Sequence, residues 1–565
     1  MTWTVALYDV REDEGPRVGG KAVALARLYR SGVSVLPGLC ITSQAYHYFL
    51  DTSGLRERIL MELSRKAFER MRWEEMWDAA LRIRNMFLTT PMPRDLEEEL
   101  GPSLDRAFPS QQTVVRSSAP GEDSAQASFA GLHESRINVA GRVDILNAIR
   151  TVWSSLFSDA ALLYQNELGL DATSSGMAVL IQELFSGPSS GVVFTKSPED
   201  ESAMVVEAVH GLNEGLVAGA VEPDRWILDR ETKEVLSSFA PNREGLVLPI
   251  ENGTARQPLT GNRHESPPLD SEQLSAVVKA AGLAERIFGP PQDVEWTILD
   301  HKLYILQSRP ITTIQERDGD ERQGWYLSLR RSLNNLISLR ERIEREILPK
   351  MSEQAEILAK QDLALLSNRE LAKEIQRRHE VHKHWIGVYW EECIPFAHGA
   401  RLFGQVYNDA VMPSDPFEFI QLLGSDPMLS LERNSAIQAM AERVRDNPAL
   451  MKALENGDPS VSDSEFGQLL EDFLDRYGEL FCHQASCTRG RSDVLALVAK
   501  LALYPSPKKQ STRDGAAGLE ANFFEAMGPH RRAEAEQILD LARASYRLRD
   551  DDNIYLGRIE AEILK

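Results

Sequence analysis

Turn-forming residues are spread unevenly along the 565 residues, and this asymmetry limits the architecture more than any single motif. Of 36 glycines, 23 precede Gly324 and 13 lie from Gly324 onward; 18 of the 28 prolines also fall in the first part. Frequent turns around short apolar runs call for strands alternating with helices. Strand-like runs fall at 113–115, 178–182, 192–195, 204–207, 226–228 and 303–307, and helical stretches at 21–31 and 143–157. After the polar segment 315–323 the period changes. Leu329, Leu333, Leu336, Ile343 and Ile347 recur at spacings of three, four and seven, the mark of one buried helix face. Similar patterns run to Leu564, with breaks expected near Pro349, 413–416, 456–459 and 505–507. The expectation is an α/β part followed by an all-α part, with the boundary near 313–323.

Charge narrows the partners. The 63 basic and 85 acidic side chains give 63 − 85 = −22, a field that repels a nucleic-acid backbone, so only local basic clusters would hold small anions. With 42% hydrophobic and 26% charged residues the composition is that of a globular chain. No apolar run approaches the ~20 residues needed to cross a bilayer. Residues 1–10 do not read as a secretory signal, and four cysteines are too few for a disulfide scaffold. A cytoplasmic location is expected, with no membrane or nucleic-acid partner.

Three groups of residues carry candidate chemistry. In Gly19-Gly20-Lys21, paired glycines before a helix could let the backbone approach a phosphate, with Lys21 as a mobile charge; the plainer reading is a turn before a surface lysine. In Val115-Arg116-Ser117-Ser118-Ala119, a strand ends in a guanidinium fork and two hydroxyls, a set suited to a polyphosphate. The small-residue loop Ser128-Phe129-Ala130-Gly131 could cover it with backbone N–H groups. Third, alternation along 303–310 puts Gln307 and Arg309 on one face. Glu295, on the preceding strand of what reads as a hairpin turning near 300–302, could approach Gln307 and offer oxygens to Mg²⁺. Each has an ordinary structural reading when taken alone.

Together, and in this order, these pieces resemble the ATP-binding domain shared by phosphoenolpyruvate synthase, pyruvate phosphate dikinase and rifampin phosphotransferase. Val35-Leu36-Pro37-Gly38, Ser190-Gly191-Val192-Val193-Phe194-Thr195, Pro223-Asp224 and Gln307-Ser308-Arg309-Pro310 extend the match, which covers about 19–312. The resemblance implies an ATP-grasp domain at 1–314, with subdomains of roughly 1–200 and 201–314, a linker at 315–324, and an α-helical acceptor- or partner-binding domain at 325–565. It implies that Lys21, Arg116 and Arg309 carry the transfer by holding phosphates, with Ser117 and Gly131 at the same nucleotide. Gln182 and Glu183 would lie beside the adenine, Glu214 in the Gly211-Leu212-Asn213-Glu214 segment, and Glu295 and Gln307 would hold Mg²⁺. Asn213 departs from the family's glycine, and Leu132-His133 from a pair of glutamines. Arg309→Ala or Glu295→Ala is expected to abolish nucleotide turnover with the fold intact.

The implied activity is Mg·ATP-dependent phosphoryl transfer of the dikinase type, through a phosphohistidine, to a small-molecule acceptor. None of the eleven histidines stands in the Gly-Gly-x-x-Ser/Thr-His-Ala setting such a carrier resembles; His398 comes nearest. The expectation is therefore a histidine-domain partner on a separate polypeptide. Direct transfer by a kinase or acyl-phosphate-forming ligase, and a non-catalytic ATP-binding regulator, stay open beside it.

The helical half carries weaker signals. Phe473-Leu474-Asp475-Arg476-Tyr477-Gly478 is loosely similar to the acceptor domain of rifampin phosphotransferase. Trp385, Tyr389, Trp390, Phe396, Phe403 and Tyr407 read as core aromatics before they read as an acceptor pocket. His379, His382 and His384 read as a surface cluster, Cys482, His483 and Cys487 as no zinc site, and 550–552 as a solvated turn or helix start.

Overall fold

Contacts along the backbone divide the chain into two units, Met1–Leu327 and Ser328–Lys565, in a computed structural model. It describes residues 2–66, 73–120, 123–124, 127–128, 133–167, 175–197, 200–217, 219–250, 253–311, 333–424, 428–455, 463–481, 490–503 and 513–564. The segment expected to be a linker, 315–324, lies outside the described residues.

In the first unit the strands, in chain order, are β1 Thr4–Ala6, β2 Gly38–Ile41, β3 Thr113–Ser118, β4 Asp123–Ser124, β5 Ala127–Ser128, β6 Ser135–Val139 and β7 Ala178–Glu183. They continue as β8 Ser189–Phe194, β9 Ala203–His210, β10 Asp224–Asp229, β11 Val235–Phe239, β12 Gly245–Pro249, β13 Thr254–Pro258, β14 Gln292–Leu299 and β15 Lys302–Pro310. One sheet has the order β1-β2-β7-β3-β6 and the other β11-β10-β9-β8-β14-β15; β12–β13 and β4–β5 are separate hairpins. β7 reads as an unbroken apolar run because both of its faces are covered. Val179 and Ile181 join Phe49, Phe87 and Trp153, which come from the helices Ser43–Thr52, Trp73–Thr89 and Arg142–Ser154. Leu180 faces the other core, where helix Gly20–Arg30 supplies Leu25 and Ala26, the second sheet Val206 and Trp296, and helix Ser271–Phe288 Val277 and Ala281.

Gly19 is fixed by a close approach. Its φ is +81°, and a Cβ there would sit 1.7 Å from the Ser118 carbonyl oxygen. Around it the start of helix Gly20–Arg30 is stitched to the end of β3. Gly20 N–H donates to Ala119 O at 3.3 Å, Ala22 N–H to Ser118 Oγ at 3.2 Å, and Ser118 Oγ to Val18 O at 2.8 Å. The glycine serves backbone-to-backbone packing that brings Lys21 beside β3. Gly19→Ala should cost more than about 3 kcal/mol, from strain plus the clash, whereas Gly15→Ala, with open space at that position, should cost little. Urea unfolding of both variants checks this; equal midpoints would contradict it.

In the second unit the helix Arg532–Leu564 is the longest described, and its Leu541, Ala544, Leu548 and Ile559 pack against Ile343, Met351, Leu358 and Phe396. A second cluster joins helices Leu429–Asp446, Ser464–Tyr477 and Arg491–Leu503 through Met440, Phe473 and Val498. Pro349 does not break the chain as the sequence suggests. A π-helical turn, Ile343–Ile347, leads straight into helix Leu348–Ala359, with Pro349 in its first turn. A widened turn absorbs the missing N–H and the bulk of the ring. The breaks expected at 456–459 and 505–507 lie outside the described residues.

The reading of 550–552 as a solvated turn or helix start is wrong. These residues sit within Arg532–Leu564, with Asp551 and Asp552 buried. Their charge is used locally: Asp551 Oδ1 accepts from Leu429 N–H at 3.1 Å and Asp550 Oδ2 from Ser430 N–H at 2.9 Å, which caps helix Leu429–Asp446. Asp552 keeps one buried oxygen without a partner, and burial pushes its carboxyl up to about 8, partly offset by the Asn553 N–H and Arg549. A folded-state value above the unfolded one means that the folded form holds an extra proton between about pH 4 and 8, so stability falls as pH rises across that window. Asp552→Asn should flatten this dependence and raise the melting temperature at pH 8 more than at pH 5; equal shifts at both would refute it.

Among the aromatics of this unit, Phe396, Phe403 and Tyr407 are fully buried, Trp385 nearly so, and Trp390 is exposed. Phe403 and Tyr407 pack on Phe419 and Phe523, which leaves them as core. Phe473, Leu474 and Tyr477 are buried as well. His382 Nε2 lies 3.2 Å from Glu560. Among the described residues no group of three His, Cys, Asp or Glu is suited to a metal, and no helix is long and apolar enough to cross a membrane. Cys482, His483 and Cys487 lie outside the described residues.

Candidate active site

The two larger sheets of the first unit flank a cleft of about 540 Å³. Strand alternation decides what faces it. Val114 and Arg116 project from β3, Ser135 and Ile137 from β6, and Gln182 from β7, while Glu295 and Thr297 project from β14 and Gln307 and Arg309 from β15. Helix Gly20–Arg30 contributes Lys21, and the segment after β9 contributes Leu212, Asn213 and Glu214. The lining includes apolar side chains, among them Leu36, Val114, Ile137, Leu184 and Phe185, and three cations, Lys21, Arg116 and Arg309.

The hairpin β14–β15 turns through Asp300 and His301, whose φ angles of +49° and +61° suit a two-residue turn of the mirror-image type. Its register sets Glu295 opposite Gln307 and Asp293 opposite Arg309. Glu295 Oε2 accepts from Arg116 Nη2 at 3.0 Å and from Asn213 Nδ2 at 3.3 Å, and Arg116 Nη1 donates to Leu306 O at 2.7 Å. Arg309 Nε donates to Asp293 Oδ2 at 2.8 Å. Burial pushes the Asp293 carboxyl up, and Arg309 offsets only part of that. Lys21 Nζ donates to Ser117 Oγ at 3.2 Å, and Gln182 Nε2 to Leu36 O at 2.9 Å.

Of the residues singled out from the sequence, Lys21, Arg116, Gln182, Glu183, Glu214, Glu295, Gln307 and Arg309 all line this cleft. Ser117 does not: it is buried on the opposite face of β3 and steadies Lys21. Gly131 and the rest of 129–132 lie outside the described residues. Asp224 sits in an ion pair with Arg243 away from the cleft, with Arg243 Nε 2.8 Å from Asp224 Oδ2. Sequence reasoning missed Asp293 and the cleft role of Asn213. Asp293 is two residues before Glu295 on the same strand, so alternation could have flagged it.

Among the described residues no three carboxylates come together here as a protein-only metal centre, but the oxygens present fit a divalent cation whose remaining ligands are phosphate and water. The lining holds three carboxylates, Glu183, Glu214 and Glu295, against its three cations, so a polyphosphate entering alone would meet uncompensated negative charge. Asn213 Oδ1 and Glu214 Oε2 are buried acceptors without a hydrogen-bond partner. Such oxygens, beside the Glu295–Gln307 pair, match the hard ligands Mg²⁺ prefers.

Residues 15–325 match the family model described as pyruvate phosphate dikinase, AMP/ATP-binding domain. A probable phosphoenolpyruvate synthase of Methanocaldococcus jannaschii is 31% identical over 306 residues, 53% of this chain and 26% of that protein. Rifampicin phosphotransferases of a Streptomyces species and of Bacillus cereus are 34% and 31% identical over 322 and 300 residues, 56% and 53% of this chain and 37% and 34% of theirs. The chain thus matches well under half the length of these relatives. The family model spans more than half of the chain and encloses every cleft residue named above, so the chain belongs to the pyruvate phosphate dikinase AMP/ATP-binding domain family.

Proposed function

We propose that the first unit is an ATP-grasp domain that binds Mg·ATP in this cleft, and that the protein is an ATP-dependent phosphotransferase subunit of the dikinase type. In this reading the phosphoryl group passes to a histidine on a carrier domain outside residues 1–565, and from there to a small-molecule acceptor. The observation that carries the reading is that Lys21, Arg116 and Arg309, far apart in sequence, line one cleft where Glu295 and Gln307 face each other across a ladder.

The adenine would lie against the apolar side chains beside Gln182 and Glu183, and the phosphates against the cations. Phosphoryl transfer gives a protein little covalent chemistry to do, so positioning and charge neutralisation dominate. Arg116 and Arg309 would each lend a guanidinium edge to phosphate oxygens, and Lys21, steadied by Ser117, a point charge. Glu295 and Gln307, with Asn213 or Glu214, would hold Mg²⁺, which would supply positive charge to offset that of the phosphates. Closure of the apolar walls would keep water from the terminal phosphate.

The test is the nucleotide product. ATP and Mg²⁺ incubated with the chain and a histidine-domain protein should yield AMP and an acid-labile, base-stable phosphate on that protein. ADP formation with a small-molecule acceptor and no added protein would instead show direct transfer and overturn the carrier reading.

A further inference from the structure

β6 carries a residue that the nucleotide site does not account for. Its register against β3 slips between Val114, which faces Ile137, and Thr113, which faces Val139, so Asn138 is the extra residue of a β-bulge. Its φ of +61° is left-handed, a conformation that asparagine tolerates better than most side chains. Bulges re-aim side chains, and this one turns Asn138 out of the alternation that points Ser135 and Ile137 into the cleft. The Asn138 side chain is buried, and its Nδ2 donates to two backbone carbonyls, those of Ile250 and, at 2.6 Å, Gly253. These close the turn of the β12–β13 hairpin, where Ile250 N–H donates to Gly253 O at 3.1 Å.

From the middle of β12 the same hairpin braces the cleft wall. Leu212 N–H donates to Val247 O at 3.0 Å, Gly211 bridges to Val247, and the Val247 side chain packs over Gly215. The braced residues are Leu212, Asn213 and Glu214, and Asn213 reaches Glu295. One continuous path therefore runs from β6, which forms one wall, through Asn138 and the hairpin to the opposite wall.

We propose that Asn138 is a positioning residue that pins the β12–β13 hairpin across the cleft, and that this pin sets how long a nucleotide stays bound. The inference rests on the ATP-binding reading. With the pin in place, the Leu212–Glu214 wall is held against its partner, and a nucleotide leaves only when the hairpin lets go. Without it the wall opens more often, while the groups that contact the nucleotide remain.

The experiment uses the full chain, Mg·ATP, and N-methylanthraniloyl-ATP as the stopped-flow probe. Asn138→Gly removes the amide while freeing the backbone to keep its positive φ, so it should fold even where Asn138→Ala does not. Asn138→Asp keeps the shape and removes both donors. The expected result for Asn138→Gly and Asn138→Asp is a nucleotide dissociation rate raised about tenfold, the worth of one or two lost hydrogen bonds, with the association rate and binding stoichiometry unchanged. Amide exchange across 245–258 should quicken in the same variants, with or without nucleotide. A lower binding-competent fraction with an unchanged dissociation rate would mark a merely structural role and overturn the proposal, as would unchanged exchange in the hairpin. Failure of the wild-type chain to bind the probe would instead sink the ATP reading, while the exchange result would still judge the pin.

Discussion

Glu295→Ala is expected to lower Mg²⁺-dependent ATP turnover by about a thousandfold while leaving the first unit folded. The carboxylate is the only charged group of the Glu295–Gln307 pair, so its removal takes away the anionic ligand while Gln307 stays in place. The fold should tolerate the change because Arg116, its ion-pair partner, keeps the Leu306 carbonyl and faces a cleft that admits water. Glu295→Gln sharpens the test: it preserves the shape and an acceptor for Arg116 but not the charge, and should be nearly as inactive. Turnover within tenfold of the unaltered chain in both variants, at saturating Mg²⁺, would remove Glu295 from the metal site and leave it a structural partner of Arg116.

Arg309→Ala should be the most damaging single change in the cleft, because it acts twice. Loss of a guanidinium beside the phosphates is expected to cost turnover by about a thousandfold or more. The second effect departs from the expectation from sequence that the fold would be untouched. Arg309 is the ion-pair partner of the buried Asp293, whose carboxyl burial already pushes up. An orphaned buried charge destabilises by about 3–5 kcal/mol. Since protonation relieves that charge, the penalty should be smaller at pH 5 than at pH 8. The double variant Asp293→Asn/Arg309→Ala should recover most of the stability and none of the turnover. Thermal unfolding beside an ATPase assay separates the two effects; recovery of activity in the double variant would contradict a phosphate role for Arg309.

What the sequence disclosed follows from which interactions are local. Glu295, Gln307 and Arg309 could be brought near one another because the turn at Asp300 and His301 makes one hairpin of their strands, but the exact pairing of Glu295 with Gln307 comes from a bulge at Leu306, since the turn alone would set Glu295 opposite Leu306. The union of that hairpin with Arg116 and Lys21 came from the family resemblance, since no local rule links residues 179 or more positions apart. Ser117 was grouped with Arg116 as one phosphate-binding set, but strand alternation sets neighbours on opposite faces, and Ser117 is buried outside the cleft lining with its hydroxyl accepting from Lys21. Asp550 and Asp551 misled because three consecutive acids look solvated until a second helix brings its unsatisfied N–H groups to them. The Asn138 bulge was illegible, since a register slip of one residue leaves no mark on composition or period.

The central claim is that these separated cations and oxygens form one Mg·ATP site. Isothermal titration of ATP into the full chain tests it most directly, with and without Mg²⁺ and with Glu295→Gln in parallel. Saturable one-to-one association that needs Mg²⁺ and weakens sharply in the variant is the predicted result. No measurable association of ATP with the folded chain in the presence of Mg²⁺ would contradict it.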